Sequence, residues 1–416
     1  MNASVTERLS DFQWPTEGVT RVPYRVFLDR DIYELEQERL YRGQTWNFVG
    51  LEIELAQPGD FKTNFVGDTP IVVTRDKEGN LRSFVNRCAH RGSMVCLENS
   101  GNRLSFSCPY HLWSYDSTGA LRGVPFQHGI SGKGGMEEGF RMSEHSLQTL
   151  NVTTYNGLVF VSFQQDMPSI ETYLGQRMRE NIDRVFNRPI QLLGYNHQYL
   201  QNNWKLYFEN VKDSYHASLL HLFFATFGLN RLSQKGGIEV DETGGHHISF
   251  TKMNTDEGRE GEYQKSNLRS YQSKFTLEDE SLLAGRPEFD DGVTLAIQTI
   301  FPNLVVQQIY NTLAVRQIVP KGPSETELIW TYFGYADDDD TMRNIRVKQS
   351  NLIGPAGLIS MEDGAIGEIV QKGVIRDEDQ SSFVEMGGTG VESQEHRVTE
   401  TSIRGFWQQY RAFMNF

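Results

Sequence analysis

The sequence is poor in cysteine, in long apolar runs and in positive charge. Three cysteines in 416 residues are too few for a disulfide framework in so long a chain. No run of 18 or more apolar residues occurs, and residues 1–14 lack the basic-then-apolar layout of a secretory signal. The formal net charge of −14 argues against a nucleic-acid surface, which requires a dominant Lys/Arg field. We therefore expect a cytoplasmic protein without membrane or nucleic-acid partners.

The residue pattern changes twice along the chain and indicates three segments. Residues 1–45 contain two helical-looking pieces that are expected to pack on the third segment, and residues 46–165 contain short β runs separated by turns such as Asp76–Gly79 and Asp116–Gly119. Residues 166–416 mix helical segments, one of them over residues 204–224, with strands, one of them over residues 304–319. The expected fold class is α+β, with a small antiparallel β domain inserted before a larger mixed domain.

Two short Cys/His hooks occur in the β-rich segment. Cys88-Ala-His90 is followed, after 17 residues, by Cys108-Pro-Tyr-His111. Such hooks can hold either a tetrahedral zinc or a two-iron cluster. Zinc hooks usually have two or more residues between ligands and pair Cys with Cys, whereas a Cys-then-His order in both hooks is typical of a Rieske [2Fe–2S] centre. The spacing therefore predicts a Rieske cluster. The third cysteine, Cys96, lies outside both hooks and is expected to be a small buried apolar residue.

A second set of ligand-type residues, Asp213, His216 and His221, lies in a helical stretch of the third segment. Asp213 and His216 are three residues apart and share a helix face. On an ideal helix, His221 would point about 140° away from His216. The helix must therefore end, bend or bulge near Ser218 if both imidazoles are to bind one ion.

Two histidines and one more distant carboxylate would form the facial triad of non-haem Fe(II) oxygenases, which leaves positions open for O2. Asp363 is the candidate carboxylate because a polar Glu-Asp-Gly interrupts an otherwise apolar, Gly-rich segment at residues 352–369. Glu362 is the nearest competitor. On the spacing alone, the alternative is that His216 and His221 are surface or interface histidines.

The two constellations, in this order, resemble the α subunit of Rieske non-haem iron aromatic-ring-hydroxylating oxygenases, and the resemblance covers essentially the whole chain. Residues 203–221, 231–237 and 354–357 look most like the branch containing terephthalate dioxygenase, with salicylate 5-hydroxylase and anthranilate or halobenzoate dioxygenases as neighbours. The resemblance implies a large domain of the helix-grip type, an antiparallel sheet with covering helices. It also implies that His216, His221 and Asp363, rather than Glu362, bind the iron.

The resemblance further implies an electron path between subunits. In related enzymes the matching aspartate connects a Rieske histidine of one subunit to an iron histidine of the next, which here predicts a relay of His111, Asp213 and His216. Asn210 matches a position near the iron and is expected to orient water or O2. A ring of three α subunits, commonly with three small β subunits, follows. NAD(P)H would supply electrons through a reductase, with or without a ferredoxin.

The expected substrate is an aromatic carboxylate in an apolar pocket with a cationic anchor. Arg316 and Arg404 match arginines of the terephthalate and salicylate enzymes, although an arginine in a strand is more often a structural or surface charge. If Arg316 and Arg404 both face the pocket, a para-diacid is favoured, and if only one of them does, a mono-acid such as anthranilate or salicylate fits better. The residues expected to contact the ring are Val211, Ala217, Leu220, Ile300, Val305 and Ile359.

The predicted activity is the addition of oxygen to the arene, as a cis-dihydrodiol or as one hydroxyl group. The [2Fe–2S] cluster would deliver electrons to the mononuclear iron, where O2 reacts. Two other classes of protein remain as alternatives at this point. One is a non-catalytic Rieske electron-transfer protein, and the other is a zinc-stabilised binding protein.

Overall fold

The structure is a computed structural model that describes residues 5–253, 263, 265 and 267–416. The chain divides into two units, Tyr41–Tyr173 and Met1–Leu40 together with Leu174–Phe416. The N-terminal segment, expected to end near residue 45, thus groups with the larger unit. Within the described part of the chain, no helix is both long and apolar enough to cross a bilayer.

The small unit contains two antiparallel sheets. The seven strands of the larger sheet are, in spatial order, Asn47–Leu51, Leu158–Ser162, Thr149–Tyr155, Leu81–Val85, Thr69–Arg75, Asp60–Val66 and Ser100–Asn102. The three strands of the smaller sheet are Ser105–Ser107, Ser114–Asp116 and Leu121–Gly123. Short 3-10 helices cover Glu52–Leu55 and Met142–His145.

Turns and aromatic packing set the shape of this unit. The predicted turns at Asp76–Gly79 and Asp116–Gly119 both close with a Gly N–H to Asp carbonyl hydrogen bond of 3.0 Å. Both glycines lie at positive φ, 87° and 85°, which a residue with a Cβ adopts at a cost. The core includes Phe61, Phe84 and Phe106 and extends to the cysteines of both hooks. The hooks are therefore anchored in the packed interior of the unit.

The large unit is built around a seven-stranded antiparallel sheet. Its strands, in spatial order, are Ile190–Leu200, Glu325–Tyr335, Thr312–Gly322, Leu304–Ile309, Val293–Ile300, His247–Lys252 and Gly236–Val240. A two-stranded ladder pairs Arg21–Pro23 with Ser381–Phe383. These antiparallel sheets with covering helices confirm the predicted α+β class.

Several α-helices of the large unit are short. Its α-helices are Val5–Arg8, Arg30–Glu36, Trp204–Lys212, Ala217–Leu220, Leu222–Thr226, Asp340–Ile353, Leu358–Val374 and Thr401–Met414. Short 3-10 helices cover Gly18–Thr20, Tyr24–Phe27 and Glu280–Leu282, and a π-helical turn covers Gln37–Tyr41. The helical segment Ile170–Val185 is broken at Gly175, where φ is 70° and ψ is 168°.

Two predicted elements were wrong in extent. The single strand expected over residues 304–319 is two strands, because Tyr310 adopts a left-handed φ of 52° and turns the chain back. The helix expected over residues 204–224 is three helices, and its breaks shape the site described below. The edge strand Ile190–Leu200 was not predicted, since its polar residues give little apolar alternation.

Candidate active site

The two Cys/His hooks of the small unit have the same backbone shape. In each hook the cysteine N–H donates to the carbonyl five residues on, at 2.7 Å for Cys88 and 2.9 Å for Cys108. The residue four positions on, Gly92 or Leu112, donates to the cysteine carbonyl at 3.0 Å. These residues lie at φ of 77° and 58°, so the second hook holds a left-handed conformation without glycine. The two Cys–His pairs are thus presented alike.

The hook side chains separate into a buried thiol pair and an outer imidazole pair. Cys88 and Cys108 are buried, whereas His90 is exposed and His111 half-buried. The two imidazole centroids lie 4.6 Å apart, and the Trp113 ring stacks on His90 at 4.8 Å. Two thiolates beneath two adjacent imidazoles are the donor set of a Rieske [2Fe–2S] cluster.

The hydroxyl of Tyr115 lies beside this donor set. It accepts from the Ala89 N–H at 3.1 Å and lies 3.3 Å from Cys88 Sγ. Burial, together with Cys88, raises the pKa of Tyr115, so the hydroxyl keeps its proton and can donate to the sulfur. Hydrogen bonds to sulfur help to set the potential of such clusters. Cys96 is buried as expected, and its sulfur contacts Nη2 of Arg103 at 3.0 Å.

The second ligand set comes from a helix that is interrupted twice. The Trp204–Lys212 helix ends at Asp213, whose ψ of 104° is extended. A single turn, Ala217–Leu220, follows and ends at His221, where ψ is 95°. The one bend that the spacing required is therefore two breaks, one on each side of this turn. The breaks bring the imidazole centroids of His216 and His221 to 5.4 Å.

Asp363 comes from the Leu358–Val374 helix and joins both imidazoles. Its Oδ1 lies 3.3 Å from Nε2 of His216 and 3.3 Å from Nε2 of His221. Ligand atoms of the three residues all lie within 4.8 Å of one another. Two imidazoles and one carboxylate fit non-haem Fe(II) with open coordination positions. The competing carboxylate, Glu362, instead contacts Nδ1 of His221 at 2.7 Å.

The electrostatics of this cluster favour a cation between the three side chains. Burial opposes protonation of His216, but Asp213 and Asp363 more than offset it and raise its pKa to about 10. Burial also opposes protonation of His221, whose pKa is nevertheless raised, chiefly by Asp363. Burial alone would raise the pKa of Asp363, yet the two histidines hold it well below its usual range. A bound metal would take the place of these ring protons.

Asn210 and Asp213 contact the cluster from the broken helix. Asn210 Nδ2 donates to Asp363 Oδ1 at 3.1 Å, so it orients the carboxylate. Asp213 Oδ1 accepts from the Tyr215 N–H at 2.8 Å. Its other oxygen lies 3.3 Å from Nδ1 of His216, which has no aligned hydrogen-bond partner among the described residues. A backbone N–H thus holds the Asp213 carboxylate, which contacts the His216 imidazole without an aligned hydrogen bond.

A cavity beside the triad combines an apolar wall with a few polar groups. Its apolar lining residues are Val211, Ala217, Phe224, Leu295, Ile297, Ile309, Trp330, Ile353 and Ile359. Besides the triad, its polar lining residues are Asn210, Asp213, Ser214, Asn230, Ser249, Gln307, Arg316, Ser360 and Arg397. Of the predicted substrate contacts, the structure therefore places Val211, Ala217, Ile359 and Arg316 at the cavity.

Arg404 does not line the cavity, so the prediction that it binds substrate was wrong. The side chain is fully buried, and its guanidinium donates to the carbonyl oxygens of Gly390, Val384 and Met386. These bonds attach the 384–390 segment to the last helix. These carbonyls accept from Nε and Nη1, whereas Nη2 has no partner among the described residues, so Arg404 contributes to the structure of this segment.

Three predicted apolar contacts also lie elsewhere. Ile300 is three residues from the lining residue Ile297 on a regular strand, so its side chain points to the opposite face. Val305 lies two residues before Gln307 on the same face of the strand. It is fully buried and does not line the cavity. Leu220, at the end of the short turn, is half-buried and is not among the residues that line this cavity.

Arg397, a second arginine at the cavity, was not predicted from the sequence. It precedes the last helix, and its Nη1 donates to Asn230 Oδ1 at 2.5 Å while Nη2 donates to the carbonyl of Arg231. No motif marks Arg397 among the 40 lysines and arginines of the chain. Gln307 and Trp330, which contact Arg316, were missed for the same reason.

Comparison with known proteins gives two family matches. The family described as Ring hydroxylating alpha subunit (catalytic domain) matches residues 177–415, and the Rieske [2Fe-2S] domain family matches residues 45–143. The chain belongs to the ring-hydroxylating oxygenase α-subunit family. This ring-hydroxylating α subunit therefore carries a Rieske cluster and a mononuclear iron that uses O2. A non-catalytic electron carrier and a zinc-stabilised binding protein are both excluded.

Several relatives match the α subunit over almost its whole length. It is 52% identical to the Terephthalate 1,2-dioxygenase, terminal oxygenase component subunit alpha 2, of Comamonas sp., over 97% of this chain and 98% of that protein. It is 50% identical to the Anthranilate 1,2-dioxygenase large subunit of Burkholderia cepacia, over 98% and 96%. The crystal structure of naphthalene 1,2-dioxygenase from Rhodococcus sp. has the same fold, with a TM-score of 0.78 at 22% identity over 99% of this chain and 97% of that one.

Proposed function

We propose that this α subunit oxygenates an aromatic ring that carries two carboxylates, one held by Arg316 and the other by Arg397. The observation that carries the proposal is that both buried guanidiniums line the cavity beside the triad. Neither forms a salt bridge with a carboxylate of any described residue. A buried cation without a counter-charge is costly, so a dianionic substrate would complete the site.

Arg316 is held rigidly at the sheet side of the cavity. Its Nη1 donates to the Tyr207 hydroxyl at 2.8 Å, and Nη2 donates to the amide oxygen of Gln307. Its guanidinium lies 4.5 Å from the ring centroid of Trp330. Its Nε has no partner among the described residues. A planar, prepositioned guanidinium suits a carboxylate better than a flexible lysine would.

Arg397 approaches the same cavity from the loop before the last helix. Asn230 and the Arg231 carbonyl accept from its two terminal nitrogens, and its Nε has no partner within the described residues. Burial lowers the pKa of Arg397 to about 10, which still leaves it cationic at neutral pH. The two cations therefore present charge to one cavity, and Arg397 rather than Arg404 would be the second anchor of a para-diacid.

The comparisons support this substrate class. The relative from Comamonas sp. is named a terephthalate dioxygenase, and terephthalate is a benzene ring with two carboxylates. The relative from Burkholderia cepacia is named for anthranilate, which has one carboxylate, and it is nearly as similar. The second arginine at the cavity is the observation that favours the diacid.

The ligand assignments from the sequence extend the proposal to both metal sites. The cluster ligands would be Cys88, His90, Cys108 and His111, and the iron ligands would be His216, His221 and Asp363. The buried thiols, the paired imidazoles and the compact triad support these assignments. When bound, the two groups supply electron delivery and O2 activation.

The protein contributes placement and shielding to the reaction. The two arginines would fix the ring by its ends, and the apolar wall formed by Val211, Ala217 and Ile359 would exclude water from it. Asn210 keeps the Asp363 carboxylate oriented through its amide. Placement of this kind lowers the barrier because the reacting groups need not be brought together by diffusion.

Asp213 is the proposed link for electron transfer from the His111 of a neighbouring subunit to His216. Its contact with His216 Nδ1 and its backbone anchoring support this role. The relative from Comamonas sp. is named as one subunit of a terminal oxygenase component, which implies further subunits and components in that system. We propose the same kind of assembly here, with a small β subunit and an NAD(P)H-dependent reductase, with or without a ferredoxin.

Product analysis tests the proposed function. The holoenzyme, supplied with a surrogate reductase, NADH and O2, would be offered terephthalate, anthranilate, salicylate and 2-chlorobenzoate in separate reactions. We expect terephthalate to be converted with the highest kcat/KM, and iron analysis to give about three irons per chain, two for the cluster and one for the triad. Preferred conversion of a mono-acid would overturn the diacid assignment.

A further inference from the structure

We infer that Glu362 is a positioning residue for the iron site, which holds His221 so that its Nε2 faces the metal. Glu362 Oε2 lies 2.7 Å from Nδ1 of His221, an aligned hydrogen bond. On the far side of the same ring, Nε2 lies 3.3 Å from Asp363 Oδ1. The imidazole therefore lies between two carboxylates with different functions, one at the metal and one behind the ring.

Consecutive residues of one helix supply these two carboxylates. Glu362 and Asp363 are neighbours in the Leu358–Val374 helix, so their side chains leave the axis about 100° apart. Asp363 is buried and reaches both histidines, whereas the Glu362 side chain is 28% exposed and reaches only the outer nitrogen of His221. This helix thus positions both Asp363, the proposed ligand, and Glu362, the residue that supports His221.

The two iron histidines are supported differently. His221 has an aligned acceptor at Nδ1, and its side chain is only 3% exposed. His216 has a carboxylate oxygen of Asp213 at 3.3 Å from its Nδ1, but no aligned hydrogen bond among the described residues. We assign the rigid anchoring of the site to Glu362 and His221, which leaves Asp213 free for its proposed role in electron transfer.

The chemical effect of Glu362 follows from the two nitrogens of an imidazole. A carboxylate that accepts from Nδ1–H selects the tautomer whose Nε2 lone pair is available to a metal, and it increases the basicity of that nitrogen. Loss of such a partner typically weakens metal binding by about 10–100-fold. The inference rests on the iron ligands proposed above.

Ferrous iron affinity of the holoenzyme tests the inference without relying on turnover. Iron would be removed from the mononuclear site and returned anaerobically against a competing chelator, while the visible absorbance of the Rieske cluster reports that the fold is intact. We expect Glu362→Ala to weaken ferrous binding by about 10–100-fold. Glu362→Gln keeps an acceptor oxygen and should recover most of the affinity. The matched control is Glu368→Gln, on the same helix, where Glu368 pairs with Lys372 and, among the described residues, contacts no proposed iron ligand.

A spectroscopic signature gives a second readout. The electron paramagnetic resonance spectrum of the nitric oxide complex of the ferrous enzyme reports ligand geometry, and it should change in Glu362→Ala but not in Glu368→Gln. Affinity in Glu362→Ala within twofold of the unaltered enzyme would overturn the inference, as would a Glu362→Gln variant that binds as weakly as Glu362→Ala. If the unaltered enzyme binds no third iron, the proposed ligand set itself fails.

Discussion

Replacement of Arg316 by methionine is the sharpest test of how the cavity recognises its substrate. Methionine keeps an unbranched side chain over Trp330 but removes the charge and the hydrogen bonds to Tyr207 and Gln307. Loss of one partner of a buried, hydrogen-bonded ion pair costs about 3–5 kcal/mol. The Kd for terephthalate should therefore rise by roughly two to four orders of magnitude.

Anaerobic isothermal titration calorimetry of the holoenzyme measures this loss directly, and a mono-acid supplies the control. Arg316→Met and Arg397→Met should each weaken terephthalate binding strongly. Benzoate has one carboxylate, so it should be sensitive to only one of the two substitutions. Terephthalate binding by either variant within threefold of the unaltered enzyme would refute the two-anchor reasoning.

The same variant should not unfold the protein. Arg316 has no carboxylate partner among the described residues, so its removal takes away a desolvated charge without leaving another behind. We expect the melting temperature of Arg316→Met to stay within a few degrees of the unaltered enzyme. A large fall would show that the arginine supports the fold, and the binding data would then need a second variant, Tyr207→Phe, which removes one acceptor of the guanidinium at a residue that does not line the cavity.

Three further predictions concern groups outside the substrate anchors. Asp213→Ala should retain the cluster absorbance and the full iron content yet lose nearly all coupled turnover, and normal turnover would contradict the proposed relay. Glu209 is buried against Trp407, and burial raises its pKa from 4.5 to about 8. Its folded state therefore holds a proton that the unfolded state releases, so stability is lost as pH rises from about 4.5 to 8. Glu209→Gln should accordingly raise the free energy of unfolding at pH 8 and have little effect at pH 4.5, as measured by urea titration at both pH values. Arg404→Met should lower the melting temperature because three buried carbonyls lose their donor. Calorimetry at a temperature where the variant is folded should give an unchanged Kd for terephthalate.

Local sequence signals were sufficient to predict the turns and the Cys/His hooks of the small unit. The turns at Asp76–Gly79 and Asp116–Gly119 need a backbone conformation that favours glycine, and the sequence has glycine there. The hooks could be found because their ligands are close in sequence and their spacing is chemically selective. Leu112 is the exception, since its left-handed φ is imposed by the hook and has no sequence signal.

The large unit shows where local signals fail. The residues between Trp204 and Thr226 have a helical pattern throughout, but two extended residues divide them. Only the requirement that two histidines meet one ion indicated a bend, and it did not locate the two breaks. In the same way, the chain reversal at Tyr310 was hidden inside a continuous apolar run.

Residue types and spacing, together with the family resemblance, were enough to predict both proposed metal-ligand sets and to identify the α+β class and the ring-hydroxylating family. These features depend on residues close together in the chain or on a pattern that a whole family shares. The cavity wall was decided by the tertiary structure, because sheet register determines which residues share a face. The tertiary structure placed Arg316 at the cavity and directed Ile300 to the opposite face of its strand. It also brought in Arg397 from a loop that carries no motif. The tertiary structure also placed Glu362 at Nδ1 of His221 and Asp363 at its Nε2, because the two carboxylates are one helical step apart.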